Sequence, residues 1–471
     1  MNLKKLSAVA FVSAAILANA YTLEAKPRLD VWPSSINIEE DCSNEVIAKA
    51  KETFASKKGV IEKSSLKLSK VSVEQALNAI KAFPTVSQLS LRNINITNLD
   101  FVKDMPNLEE LSIETGLKSE PVNISALSGN QKLKKVTFYT TNIVDLAPIS
   151  TCSNLKEFVS YSSNILTNTI SPLKDLANLE ELNLYGTKVD DFAHLAPLTK
   201  LKKINIYATK PLDGQTLDYD HLSAIKSLEY INAGMTEMKS VAFLKDLPNF
   251  KSIEFMGEDI KDIETLENCK TIENIMFWAH YRINLDGNKI GKAKSLKKLR
   301  FWSTDEVTNW EGLSNLTNLE ELIIDGVKNC TTSANAIDTS FMASMTKLEK
   351  VTIKNVVIKD LAKLPPNLKE ITIEQDRIKP EENNAIDFST FVAPELTKLY
   401  VNTAKVSNIS SIVKNLPKLK SITLKKIEGI DNFEFLKELP KKSSVILSKE
   451  TIPEDYKKEL KDSYDINVNM W

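Results

Sequence analysis

The chain has 471 residues, with 61 Lys and Arg against 62 Asp and Glu and a formal net charge of −1. That balance leaves no basic excess with which to hold nucleic acid or an anionic membrane surface. Only 12 glycines and 17 prolines are present and no Gly/Ser-rich linker, so one continuous architecture is expected rather than several tethered domains.

Residues 1–20 read as a cleavable export signal: Lys4 and Lys5, an apolar run from Leu6 to Leu17, then Ala18-Asn19-Ala20. Its apolar run is too short to span a bilayer, and no later segment reaches the roughly twenty apolar residues needed. Residues 21–85 are expected to form an N-terminal cap. It holds an amphipathic helix near Asn44 to Phe54, a short strand near Ser65 to Leu68, and a helix from Val73 to Ala82. Ser72 with Gln75 three residues on gives that second helix a capping-box start, and Pro84 stops it.

From residue 86 to 441 a unit L-x-x-L-x-L recurs about fifteen times. Its first apolar positions are Val86, Leu108, Leu133, Leu155, Leu179, Leu201, Leu228, Phe250, Ile272, Leu296, Leu319, Leu348, Leu368, Leu396 and Leu419, with a degenerate copy at Lys442. The mean spacing is about 24 residues, within the range of leucine-rich repeats. In LEELNLY, Leu182 and Leu184 point to one side of a strand while Glu181, Asn183 and Tyr185 point to the other. One copy cannot bury its leucines; stacked copies build a parallel sheet over a shared core, with short return segments such as DDFAHLAPLTK behind it. The predicted fold class is therefore an α/β leucine-rich-repeat solenoid with its sheet on the concave face. Residues 442–471 are expected to close it as strand, helix (Pro453 in the first turn) and strand.

The copies from Leu155 to Lys270 resemble bacterial internalin-type leucine-rich repeats, with DFAHL similar to that family's D-L-x-x-L. The resemblance implies a secreted or surface-associated binding protein. Two features depart from the family. Its usual Asn at the ninth repeat position is here Thr141, Ser163, Thr187, Thr209 and Thr236, whose hydroxyls can make part of the same turn bonds, then Glu258, His280, Thr304, Val327, Val356, Asp376 and Ala404. Long inserts also follow the copies at Leu201, Leu319 and Leu368. No LPxTG-type sorting signal follows the repeats, and no lipid-bearing cysteine follows the signal, so release or non-covalent retention at the surface is expected, with the periplasm as a further place.

Four cysteines, Cys42, Cys152, Cys269 and Cys330, make a weak disulfide framework. Cys152 and Cys269 occupy equivalent depths five repeats apart, about 24 Å, far beyond disulfide reach, so buried thiols are expected. Histidines 194, 221 and 280 are scattered, and no C-x-x-C, G-x-S-x-G or Walker loop exists. His194 on a return segment and His221 in an insert read as solvated side chains, and Asp190-Asp191 as surface charge. No cofactor, metal site or catalytic constellation is expected.

The seventh repeat position carries Tyr139, Tyr161, Tyr185 and Tyr207 in four successive copies and Trp278 and Trp302 in two. Asn183, Asn205 and Arg300 stand at the neighbouring fifth position. Such an aromatic strip is either sheet-stabilising stacking or a partner surface, and Trp, Tyr and Arg are the residues that dominate binding hot spots. A protein ligand is the expected partner of a monomeric chain, with a glycan as the alternative. Beyond Asp325 the same face turns charged, and a solvated, non-binding end is expected there. An envelope or surface-layer component, or an enzyme with its chemistry in the inserts, are the other readings.

Overall fold

A computed structural model describes residues 28–470 apart from 33, 42, 58–62, 257–259, 279–283, 383–384, 431 and 449–451. The export-signal segment, Cys42 and His280 thus lie outside the described residues. The chain divides after Leu228 into two compact units.

In the first unit, β1 (Arg28–Val31) pairs antiparallel with β2 (Ser35–Glu39), and β2 starts a parallel ladder through β3 (Ser65–Ser69), β4 (Gln88–Arg92), β5 (Glu110–Glu114) and β6 (Lys135–Tyr139). It continues through the strands Glu157–Tyr161, Glu181–Asn183 and Lys203–Asn205. Parallel pairing therefore reaches into residues where the sequence predicts helices and one short strand. The SINIE segment of β2 alternates as the repeats do, with Ile36 and Ile38 buried. Helices α1 (Asn44–Lys57) and α2 (Val73–Ala82) stand in the places of return segments, and Ser72 Oγ accepts from Gln75 N at 3.2 Å.

The repeat geometry follows from the apolar spacing. Each strand begins two residues after its anchor, and the register matches copy to copy: Leu89 opposite Leu111, Leu91 opposite Ile113. The apolar anchors are at most 1 % exposed, which places one apolar layer per copy in a shared core. After the strand, the eighth position turns the chain with positive φ: Asn93, Thr140, Ser162, Gly186 and Ala208 all lie between 43° and 63°. At Gly186 a Cβ would also come within 3.0 Å of Ser162 Oγ, so glycine suits that turn on two counts.

The ninth side chain is thereby swung inward. Thr141 Oγ1 donates to Tyr139 O (2.8 Å), Ser163 Oγ to Phe138 O (3.1 Å), Thr187 Oγ1 to Ser160 O (2.7 Å) and Thr209 Oγ1 to Leu184 O (2.8 Å). Except for the bond to Tyr139, these bonds tie one copy to the preceding one. A second polar ladder, which the sequence reading missed, uses the Asn just before the anchor. Asn154 Nδ2 donates to Gln131 O and Asn178 Nδ2 to Ser153 O, as Asn318 Nδ2 does to Lys294 O in the second unit. The recurring Asn-Leu pair was its signal. Return segments are mostly single 3-10 turns begun by an Asx side chain: Asp145 accepts from Ala147 N and Asp191 from Ala193 N.

The second unit repeats this plan through Tyr230–Asn232, Ser252–Met256, Asn274–Trp278, Lys298–Trp302, Glu321–Asp325, Lys350–Lys354, Glu370–Glu374, Lys398–Ser407 and Ser421–Glu428. The inserts are not open loops. Ile337–Asp338 pairs with Ile358–Asp360, and Ile386–Asp387 with the end of Lys398–Ser407, forming short strands away from the main ladder. The chain ends in strand Ser444–Leu447, helix Glu454–Tyr464 and strand Asn467–Met470. Pro453 is the helix N-cap rather than a first-turn residue, its extended ψ of 150° preceding the first helical position. Among the described residues no helix is long and apolar enough to cross a membrane.

Candidate functional site

The outward positions of the strands carry two aromatic clusters, one in each unit. In the first unit Tyr139, Tyr161, Tyr185 and Tyr207 stand in successive copies. Tyr161 and Tyr185 stack at 4.1 Å and 6°, Tyr185 and Tyr207 at 4.7 Å and 6°, and Tyr139 tilts against Tyr161 at 5.6 Å and 53°. Parallel rings this close cover each other's faces, so Tyr185 presents an edge and its hydroxyl, not a flat face. Burial in the stack, then the Tyr161 hydroxyl, pushes the Tyr185 phenol up to about 12.

Asn183 and Asn205 lie beside this stack, but half of each carboxamide is engaged. Asn183 Oδ1 accepts from Tyr185 N at 2.9 Å and Asn205 Oδ1 from Tyr207 N at 3.0 Å. These side chains compete with the ladder and end their strands after three residues. Each fixes the backbone of the tyrosine two positions on and leaves only its Nδ2 donors for a ligand.

In the second unit, Trp278 and Trp302 are partners on adjacent strands, with rings 5.0 Å apart at 61°. The Arg300 guanidinium lies 4.6 Å from the Trp302 ring centroid. The fifth positions of successive strands run Asn232, Glu254, Met276 and Arg300. Glu254 is partly buried and accepts from Asn232 Nδ2 at 3.3 Å; burial raises its carboxyl above the usual value, against the opposing pull of the Tyr230 hydroxyl and Arg300. Burial, with Glu254 alongside, also raises the Tyr230 phenol. Trp278 Nε1 and Arg300 Nε are buried and have no hydrogen-bond partner among the described residues.

Four outward lysines of this unit are paired with glutamates across strands. Lys350 and Lys298 reach Glu321 (3.1 and 3.4 Å), Lys354 reaches Glu374 (3.2 Å) and Lys398 reaches Glu370 (2.5 Å). The structure thus brings together the expected residues Tyr139, Tyr161, Tyr185, Tyr207, Asn183 and Asn205 as one cluster, and Trp278, Arg300 and Trp302 as another. The fifth-position column of the sequence includes Glu254, but its partnership with Tyr230 and Asn232 on the neighbouring strand was not legible, because it lies across strands and not along the sequence.

The histidines correct an expectation. His194 Nε2 lies 3.0 Å from Asp190 Oδ2, and His221 Nδ1 2.7 Å from Asp191 Oδ1, so neither ring is simply solvated. The return turns bring the acids to them: Asp190 also accepts from Thr169 Oγ1 and Ile170 N, bonds that outweigh its burial and keep its carboxyl below the usual range. Cys152, Cys269 and Cys330 are buried free thiols, and burial pushes Cys152 and Cys330 up to about 11. Among the described residues no group of His, Cys, Asp and Glu is arranged to hold a metal.

No protein-family model matches the sequence, and no curated protein matches it. Solved structures do. An internalin from Listeria monocytogenes aligns at a TM-score of 0.53 and 20% identity, over 71% of this chain and 95% of that one. The fold is that of the leucine-rich repeats. Toll in its complex with Spatzle, from Drosophila, aligns over 96% of this leucine-rich-repeat chain and 70% of its own, at 0.51 and 11% identity. TLR13 in its complex with ssRNA13 aligns over 89% and 79%, at 0.50 and 13%.

Proposed function

We propose that this chain is a secreted or surface-associated binding protein that recognises a protein partner through its outward aromatic clusters. The observation that carries the reading is the contrast on the strand faces: several lysines there are paired with glutamates across strands, while tyrosines and tryptophans stand partly exposed, Tyr139 at 39% and Trp302 at 38%. Rigid amphipathic rings in that setting give contact area at little entropic cost. Export is supported by residues 1–20, and a boundary of the repeats near residues 86 and 441 by the anchor spacing.

Related folds take different ligands, as the complexes with Spatzle and with an RNA illustrate, so the ligand class must come from this chain's own surface. Near-neutral charge and paired lysines disfavour RNA. A glycan is the second reading, favoured by the donor groups of Asn183 and Asn205. Against it, the inner tyrosine rings have their faces covered, and sugar stacking needs a free face.

The test is the triple variant Tyr185→Ala, Trp278→Ala, Trp302→Ala, checked for fold by circular dichroism. Wild type and variant are compared in capture from cell-surface extracts and on a glycan array. A protein retained by wild type and lost by the folded variant supports the proposal. Undiminished binding by the variant removes it, and a glycan signal lost in the variant turns the reading to sugars.

A further inference from the structure

Resting on that reading, we infer that Trp278 and Arg300 together bind a carboxylate carried by the partner, an Asp or Glu side chain seated between the indole N–H and the guanidinium. Both groups are donors only, and both have buried N–H atoms with no acceptor among the described residues. Buried donors left unpaired are costly and uncommon, so two on adjacent strands call for an acceptor from outside. Trp278 is partnered with Trp302 and Met276 with Arg300, which makes Arg300 a diagonal neighbour of Trp278 within reach of long side chains.

Arg300 also differs from four lysines of this face. Lys298, Lys350, Lys354 and Lys398 each reach a glutamate, whereas Arg300 makes no hydrogen bond or ion pair among the described residues. Its guanidinium rests against the Trp302 ring, an arrangement that leaves the N–H edge for an in-plane acceptor. The acid of its own fifth-position row, Glu254, stands two strands away across Met276 and is held by Asn232 and Tyr230.

A phosphate would call for further cations, and the nearby Lys298 is tied to Glu321. The surroundings are Met276, the buried Met256 and indole edges. They suit the methylenes and apolar neighbours of an acidic peptide better than the hydroxyls of an acidic sugar.

The test uses the full chain with its five tryptophan indoles labelled with nitrogen-15, the Trp278 signal being assigned by Trp278→Phe. Peptides Ac-Gly-Phe-Xaa-Phe-Gly-NH2, with Xaa Glu, Gln or Lys, are titrated beside N-acetylneuraminic acid. The Glu peptide should shift the Trp278 indole N–H and bind about tenfold more tightly than the Gln peptide. Arg300→Met should abolish that preference. Trp278→Phe should weaken the Glu peptide while leaving Tm equal or higher, because an unpaired donor has been removed; a merely structural role would lower Tm and spare the preference. Equal binding of Glu and Gln peptides overturns the carboxylate inference while leaving the aromatic-surface reading to its own triple-variant test. Absence of any peptide-induced shift overturns the inference as well. N-acetylneuraminic acid outcompeting the Glu peptide overturns its assignment to a protein partner.

Discussion

The tyrosine cluster and the tryptophan–arginine cluster occupy the same repeat positions but solve their polar requirements differently. Around the tyrosines nearly everything is satisfied internally: rings cover rings, Asn183 and Asn205 cap the backbone, and Thr187 and Thr209 bond the preceding copies. Around the tryptophans, Trp278 Nε1, Arg300 Nε and Thr304 Oγ1 are all buried and have no partner among the described residues. An internally completed surface reads as a rigid platform, and an incomplete one as a place where a ligand supplies what the fold lacks.

The largest expected effect contrasts two ninth-position threonines. Thr187→Val strips a fully buried hydroxyl from Ser160 O and Ser160 Oγ and should cost about 1–3 kcal/mol in denaturant unfolding. Thr304→Val removes an unpartnered hydroxyl and should be neutral or stabilising. Equal losses at both sites would break the comparison. Next, Tyr185→Ala should lower stability by about 1–2 kcal/mol, since it removes two parallel stacks. Trp302→Ala, exposed and touching one ring edge, should cost less; a larger loss there would make the tryptophans structural.

Smaller still, Thr140→Gly should raise stability by about 0.5–1 kcal/mol by relieving a β-branched residue held at φ 43°. The smallest effect concerns pH. Glu254 binds its proton more tightly folded than unfolded, so the folded state holds more protons just above the ordinary value of 4.5 and stability falls as pH rises through that window. Glu254→Gln should flatten that slope in Tm measured against pH; an unchanged slope would show that Glu254 does not cause it.

Much of the first-order structure was legible in the sequence because the repeat is a local rule applied many times. The anchors from Val86 to Leu419, the strand following each, and the helices near Asn44 and Val73 all follow from apolar spacing and caps. The strand Ser35–Glu39 escaped notice because one five-residue alternation carries little signal without its neighbour. The Asn-Leu ladder is faint in the sequence because its acceptors are backbone carbonyls of the preceding copy, which any residue type supplies.

The sequence by itself determined which residues share a face, since period two along a strand and a constant copy length leave no freedom in the matter. Only the tertiary structure decided what those residues do for one another. Whether Tyr185 shows a face or an edge depends on its neighbours' ring angles, as whether Asn183 is free depends on the turn beside it. That Glu254 has a hydrogen-bond partner while Arg300 has none among the described residues is a fact of packing between copies. Hydrogen-bond satisfaction is settled by three-dimensional proximity, which no one-dimensional pattern encodes.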